Sequence, residues 1–267
     1  MKFLVQTISN EDVFKIQHDF TCELEHAVRY YKWKGVEHVL HHCSIEELEH
    51  LDETHKDFVP VGTIEFVMKF IGKFIKPDGS AEIKPLNIPE NMFNPKFSGR
   101  RIQNFEINGQ TREQVFNEIS TWTTPLLFIK SNEVLKSPLN GMYNMSDIMD
   151  SEKLPDGNYQ VSEHVKIVSE YRCFVYQGKL KGVQFYSGDF TTFPDRDKIF
   201  DLVRSLNTDE NETTGYTFDV YVTPDGNTYL MEMHEFFSCG LYGFCDYDIL
   251  PYMFYRTFLN IKKRLNK

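Results

Sequence analysis

A chain of 267 residues with a net charge of −10 has room for one large domain, or for two or three small lobes around a cleft. The acidic balance argues against broad nucleic-acid binding, which rests on clustered Lys and Arg. It leaves ATP open, because three phosphates need only a few local cations and a metal.

In chain order, the opening residues 3–8 read as a strand, and residues 21–33 (TCELEHAVRYYKW) have helical spacing that stops at Gly35. Val36 to His42 suits a second strand. Residues 45–51 (IEELEHL) then read as a helix, with Ser44 as its N-cap. Strand–helix–strand–helix in so short a span predicts a small α/β lobe. Residues 58–75 are apolar, extended at first and helical after Gly62. Residues 76–112 carry Pro at 77, 85, 89 and 95 and Gly at 79, 99 and 109, the composition of a loop-rich connection. A short helix at 112–119 and a strand at 126–130 follow. Beyond Tyr159 the pattern is mostly β, with strands expected at 159–161, 167–176, 182–186, 216–222 and 228–233. An amphipathic helix lies among them at 195–206, and a closing helix at 246–265 is interrupted or started by Pro251.

Five Cys (22, 43, 173, 239 and 245) without a CxxC pair read as reduced thiols. The N-terminus lacks a signal-like apolar run, and no uninterrupted apolar stretch reaches the roughly 18 residues of a membrane span. The expectation is a soluble, cytoplasmic protein with no membrane partner.

Several short motifs fail on their chemistry. IGKF at 71–74 lacks the first P-loop glycine, since Val67 stands there, and Phe74 replaces the magnesium-binding Ser/Thr. HEFFS at 234–238 has Ser238 where a zinc protease needs its second His. His38, His41, His42 and Cys43 crowd together, but only His38 and His42 would share a helical face. Lys76-Pro77-Asp78-Gly79 has the form of the nucleophilic-lysine motif of polynucleotide ligases. Pro-Asp-Gly recurs at 155–157 and 224–226, each time between apolar runs, so it reads first as a turn.

One set of residues holds together. Lys130 ends the strand PLLFIK, Glu163 follows YQVS, Glu170 and Arg172 lie in SEYRCFV, and Asp219 and Glu232 sit on successive strands joined by a PDG turn. Across such a hairpin, residues 219 and 232 pair approximately, so both carboxylates can face one way. Two close carboxylates repel, and a cation between them resolves the repulsion. Magnesium, which takes one or two carboxylates plus phosphate oxygens and waters, suits them.

On these residues, and on the blocks PVGTIEFV, GRR (99–101), SEYRCFV, GYTFDVYVTPDG and MEMHEFFSCGLYGF, the chain resembles the ATP-grasp superfamily and, within it, the R2K clade. The resemblance runs from about residue 58 to 245. It implies an α+β ATP-grasp fold, with the nucleotide held between two α+β lobes behind a small N-terminal α/β lobe. The lobes would fall at 1–85, 86–165 and 166–267. It implies ATP and Mg²⁺ as cofactors. The activity implied is a carboxylate–amine (or thiol) ligase working through an acyl phosphate on a small-molecule, peptide or protein carboxylate, most naturally a peptide or protein. By the same resemblance Lys130 contacts the phosphates, and the backbone around Ser162, Glu163, His164 and Val165 forms the adenine hinge. Glu170 accepts the ribose hydroxyls, and Arg172 reaches phosphate or substrate carboxylate. The clade's second arginine falls on Arg101, with Arg100 as the alternative, and Lys136 is a possible further phosphate contact. Asp219, Glu232 and His234 form the metal site, and His234 stands where most ATP-grasp proteins have Asn. That departure keeps a second reading open, a nucleotide-binding module without ligase activity. A polynucleotide ligase acting through Lys76 is the third.

Overall fold

The computed structural model describes residues 1–7, 19–79, 83, 85–206, 215–237 and 239–265. Three sheets follow one another along the chain. In the first, β1 (Lys2–Gln6) lies between β2 (Val39–Cys43) and β3 (Val59–Val61), all parallel. Parallel neighbours need crossover connections. The first is α1 (Asp19–Trp33), whose Phe20, Leu24, Ala27, Val28 and Tyr31 recur at helical spacing and are buried. Gly35, at φ +80°, ends the turn after it. The Ser44 cap forms, with Ser44 N donating to Glu47 Oε2 (2.7 Å) and Glu47 N to Ser44 Oγ (3.2 Å). The segment it opens is only a 3₁₀ turn at Glu47–His50, in which Leu48 is buried while Ile45 and Leu51 pack against the core from either side. α2 (Ile64–Phe74) is capped by Thr63 and buries Phe66, Val67, Phe70 and Ile71.

The second sheet is antiparallel and has the order β4-β7-β5-β6, formed by β4 (Ile102–Ile107), β5 (Leu126–Ser131), β6 (Gly141–Asn144) and β7 (Gly157–Glu163). α4 (Arg112–Ile119) covers one face, where Val115 and Ile119 pack with Ile107, Leu127, Ile129 and Val161. β4 lies inside the stretch expected to be loop. Its Gln103, Asn104 and Glu106 hide it in the sequence, and pairing with β7 makes it a strand.

The third sheet, β11-β10-β8-β9, is also antiparallel. It contains β8 (Ser169–Tyr176), β9 (Lys179–Gly188), β10 (Gly215–Val222) and β11 (Thr228–Glu235). α5 (Arg196–Leu206) packs Ile199, Leu202, Val203 and Leu206 onto one face, beside Ile88 and Met92. The last helix, α6 (Leu250–Leu265), starts just before Pro251 and returns to the first sheet. Its Met253, Phe254, Phe258 and Ile261 share a core with Phe3, Leu4 and Phe70. The end of the chain thereby ties the third segment to the first. Among the described residues no helix is long and apolar enough to cross a membrane.

The ladders of the third sheet slip by one residue at three places, and two of these shape the site. Asp219 pairs with Glu232, while Val220 pairs with Leu230, so Met231 has no partner. On the other side, Glu170 pairs with Ser187 and Tyr171 with Phe185, leaving Tyr186 unpaired. A bulge re-aims side chains. At Met231 it lets Leu230 and Met233 both face the core while Glu232 turns to the opposite face.

Candidate functional site

A cavity of about 260 Å³ lies between the second and third sheets. Phe128, Met142, Val165, Ile167 and Met231 make an apolar slot, and Lys130, Arg100, Glu170 and Glu232 supply charge. Lys130 and Glu232 also line a second cavity, of about 220 Å³, with Ile64, Leu86, Leu135, Lys136, His234 and Phe237. The two spaces therefore meet at this pair, whose Nζ and Oε2 atoms are 3.5 Å apart.

Asp219, Glu232 and His234 converge there, with candidate ligand atoms all within 4.8 Å of one another, the sole such group of three among the described residues. The His38–Cys43 cluster makes no comparable site. His234 Nε2 lies 2.9 Å from Glu232 Oε1 and 3.4 Å from Asp219 Oδ2. It is buried, neither contact has hydrogen-bond angles, and this nitrogen has no hydrogen-bonding partner among the described residues. Burial alone would lower the His234 pKa, but Glu232 and Asp219 outweigh it and raise it. Burial likewise opposes ionisation of Glu232, yet His234, Lys130 and Arg172 hold its carboxyl below the usual range. Two carboxylates and an orphaned imidazole nitrogen are a donor set that fits one divalent cation, with phosphate oxygens and water completing its shell.

Arg172 is spent differently from expectation. Its Nε and Nη2 donate to the two Asp219 oxygens at 2.8 Å each, and Nη1 donates to the Gly240 carbonyl at 3.2 Å. Both partners are buried. Burial works against each charge, but the bidentate contact wins, keeping Asp219 below and Arg172 above its ordinary pKa. The two residues pair across β8 and β10, which points both side chains to the same face. The Arg172 fork therefore holds Asp219 in place, with three of its five N–H donors committed to Asp219 and Gly240.

The arginine at the cavity is Arg100, and Arg101 is not brought to it. Arg100 is buried, with Nη2 on the Met231 carbonyl at 3.0 Å and its guanidinium 5.5 Å from the Tyr221 ring centre. Arg101 is exposed, and among the described residues its side chain reaches only the Thr121 carbonyl, at 3.5 Å. Gly99 decides between them. At φ +64° it ends α3 (Pro95–Ser98) against β10 and β11, where an added Cβ would come within 2.5 Å of Tyr229 and 2.6 Å of Tyr221 Oη. Only glycine tolerates both constraints, and the turn it makes delivers the next residue inward.

At the proposed hinge, Glu163 acts through its side chain. Oε2 accepts from Arg101 N (3.0 Å), and Oε1 from Thr123 N (3.0 Å) and Oγ1 (2.8 Å). The His164 N–H is taken by the Leu126 carbonyl, whereas Val165 N–H makes no backbone hydrogen bond within the described residues. Burial would raise the Glu163 pKa, but these donors bring it down. Glu163→Ala is expected to cost about 2–3 kcal/mol at neutral pH, the scale of hydrogen bonds to a charged group. Because the folded pKa is depressed, this contribution is complete above the unfolded carboxyl pKa of about 4.3 and fades as pH falls through the folded value. Urea titrations of the two proteins at pH 7 and pH 3 check this, and the gap should narrow at pH 3.

Lys76 lines neither cavity. The turn after it closes with Gly79 N on the Lys76 carbonyl (3.2 Å), with Gly79 at φ +78°. Tyr186 was not legible as a site residue, yet its hydroxyl lies 2.8 Å from Glu170 Oε2 and 3.2 Å from Asp219 Oδ2.

Three sheets, with a cavity between the second and third, form an ATP-grasp fold. The likeness extends over whole chains. A D-cycloserine synthetase, DcsG, aligns with a TM-score of 0.57 at 11% identity, covering 99% of this chain and 100% of its own. D-alanine–D-alanine ligase from Bacillus anthracis aligns at 0.53 and 14% identity, covering 99% of each chain, and its complex with ATP at 0.52 and 13%, again covering 99% of each. At such identities these likenesses show the fold. No curated protein matches the sequence. The family itself is shown by sequence: residues 97–250 match the ATP-grasp domain of R2K clade family 2, and the chain belongs to that family.

Proposed function

We propose that this protein is an ATP- and Mg²⁺-dependent carboxylate–amine (or thiol) ligase that activates its carboxylate as an acyl phosphate. The observation that carries the reading is the junction of the two cavities at Lys130 and Glu232, beside Asp219 and His234. Adenine would take the apolar slot, with Val165 N–H as a donor, and Glu170, which lines the same cavity, would accept the ribose hydroxyls. Lys130 and Arg100 direct positive charge at the phosphates, leaving the γ-phosphate at the mouth of the second cavity. There the carboxylate of the second substrate, a peptide or protein carboxylate on the clade's pattern, attacks phosphorus and displaces ADP. An amine or thiol then attacks the acyl carbon and releases phosphate. Glu232, Asp219 and His234 would hold Mg²⁺, which supplies charge neutralisation on the transferred group. Lys136, at φ +49° in the β5–β6 loop, faces the second cavity and adds a cation there.

ATP with Mg²⁺ at a hundredfold excess over its Kd is expected to raise the melting temperature by about 5–10 °C. ADP release in the presence of hydroxylamine should then yield the hydroxamate of any carboxylate the enzyme activates. No thermal shift at saturating ATP and Mg²⁺ removes the basis of the reading. One observation favours a nucleotide-binding module without turnover, namely that Arg172 already occupies both Asp219 oxygens. That alternative predicts the thermal shift and no hydroxamate with any acid.

A further inference from the structure

Glu170 and the cation cluster lie on different strands of the third sheet, and one side chain touches both. Tyr186 is one of two bulged residues of β9, and its ring lies on the site face while its neighbour Phe185 packs on Tyr171 on the other. A bulge beside a site is a device for aiming a side chain. The ring is clamped as well as aimed. It stacks on Tyr242 at 4.9 Å and 19°, and the Arg172 guanidinium carbon sits 5.7 Å from its centre and 5.0 Å from that of Tyr242. Tyr242 is itself held, with its N–H and that of Leu241 both donating to Asp19 Oδ2 at 2.8 Å.

The hydroxyl has one proton and two carboxylate neighbours, Glu170 Oε2 at 2.8 Å and Asp219 Oδ2 at 3.2 Å. It can donate to only one at a time. A phenol, with an ordinary pKa of about 10, remains a donor throughout the physiological range. A cation held at Asp219 would neutralise that carboxylate and weaken its demand for the proton. The proton would then go to Glu170 and fix its carboxylate. Contacts continue from Asp219 through His234 (3.4 Å) and Glu232 (2.9 Å) to Lys130 (3.5 Å).

We propose that Tyr186 is a positioning residue that couples occupancy of the nucleotide cavity to occupancy of the Asp219–Glu232–His234 cluster. The idea rests on the nucleotide reading above, and its test separates the two. Adenosine is the probe, because it carries the ribose hydroxyls and base but no phosphates to chelate magnesium in solution. By calorimetry, the full chain should bind adenosine about five- to tenfold more tightly at saturating Mg²⁺ than in chelator, within the usual range of coupling between sites. Adenosine should tighten Mg²⁺ by the same factor, since linkage is reciprocal. In Tyr186→Phe, which keeps the stacked ring, the ratio should fall to within about twofold of one. Tyr242→Phe, which removes a hydroxyl touching neither carboxylate, should keep the wild-type ratio.

A wild-type ratio of one, or a Tyr186→Phe ratio equal to wild type, overturns the coupling while leaving the nucleotide site intact. Failure of the wild type to bind either ATP or adenosine overturns the nucleotide reading and the coupling with it. If Tyr186→Phe melts too low to titrate, the reciprocal measurement on the wild type still decides. Absence of any adenosine effect on Mg²⁺ affinity sinks the proposal.

Discussion

Arg172→Met should destabilise the protein by about 3–5 kcal/mol, the cost of stranding a buried charge by removing its partner. Asp219 is 1% exposed, and the Arg172 fork supplies both of its short charge-assisted hydrogen bonds. Without the guanidinium, the Tyr186 hydroxyl and His234 are left to compensate a carboxylate out of reach of water. The variant also frees the Gly240 carbonyl and so loosens the loop that carries Tyr242. Guanidinium unfolding at neutral pH measures the loss. The double variant Arg172→Met, Asp219→Leu gives a sharper reading. An apolar replacement of a whole buried pair is often neutral or better, so most of the lost stability should return, but no ADP-forming activity should return with it. If the single variant loses less than about 1 kcal/mol, the pair is not the structural centre of this sheet face.

Glu232→Gln should lower ADP formation by roughly 10²–10³-fold, the range for removing one preorganised group that stabilises charge in the transition state. The substitution keeps size and shape, and the Glu232 side chain is about one-third exposed, so the change in stability should stay within about 1 kcal/mol. The loss should appear in kcat, because Glu232 stands where the cavities meet and not along the apolar slot. Adenosine binding in chelator should persist, whereas its response to Mg²⁺ should weaken. Initial rates and calorimetry on the same preparation distinguish this pattern from misfolding, which would abolish both. Equal losses of adenosine binding and of rate would place Glu232 in the nucleotide pocket and remove it from the cation cluster.

Much of the fold was legible because the signals are local. α2 follows Gly62 and a Thr63 cap, α4 begins at Arg112, and each strand of the third sheet alternates or runs apolar between turn residues. β4 and β6 escaped detection for a physical reason. Their residues are polar or few, and they extend only because β7 and β5 offer open hydrogen-bonding edges. The helix expected at 45–51 is only a turn although its cap formed, because so short a segment cannot repay the cost of nucleating a helix.

What the sequence determined by itself was the hairpin that brings Asp219 and Glu232 close, since a short Pro-Asp-Gly turn leaves its two strands little choice of partner. Counted out from Val222 and Thr228, an unbroken register would set Asp219 opposite Met231, and it is the bulge at Met231 that puts Glu232 across from Asp219. Tertiary structure decided the surroundings of that pair. The fork of Arg172 closed on Asp219, Arg100 turned inward instead of Arg101, and a bulge set Tyr186 between two carboxylates. These outcomes depend on which strands become neighbours and where their ladders slip by one residue. No spacing within a single segment records either.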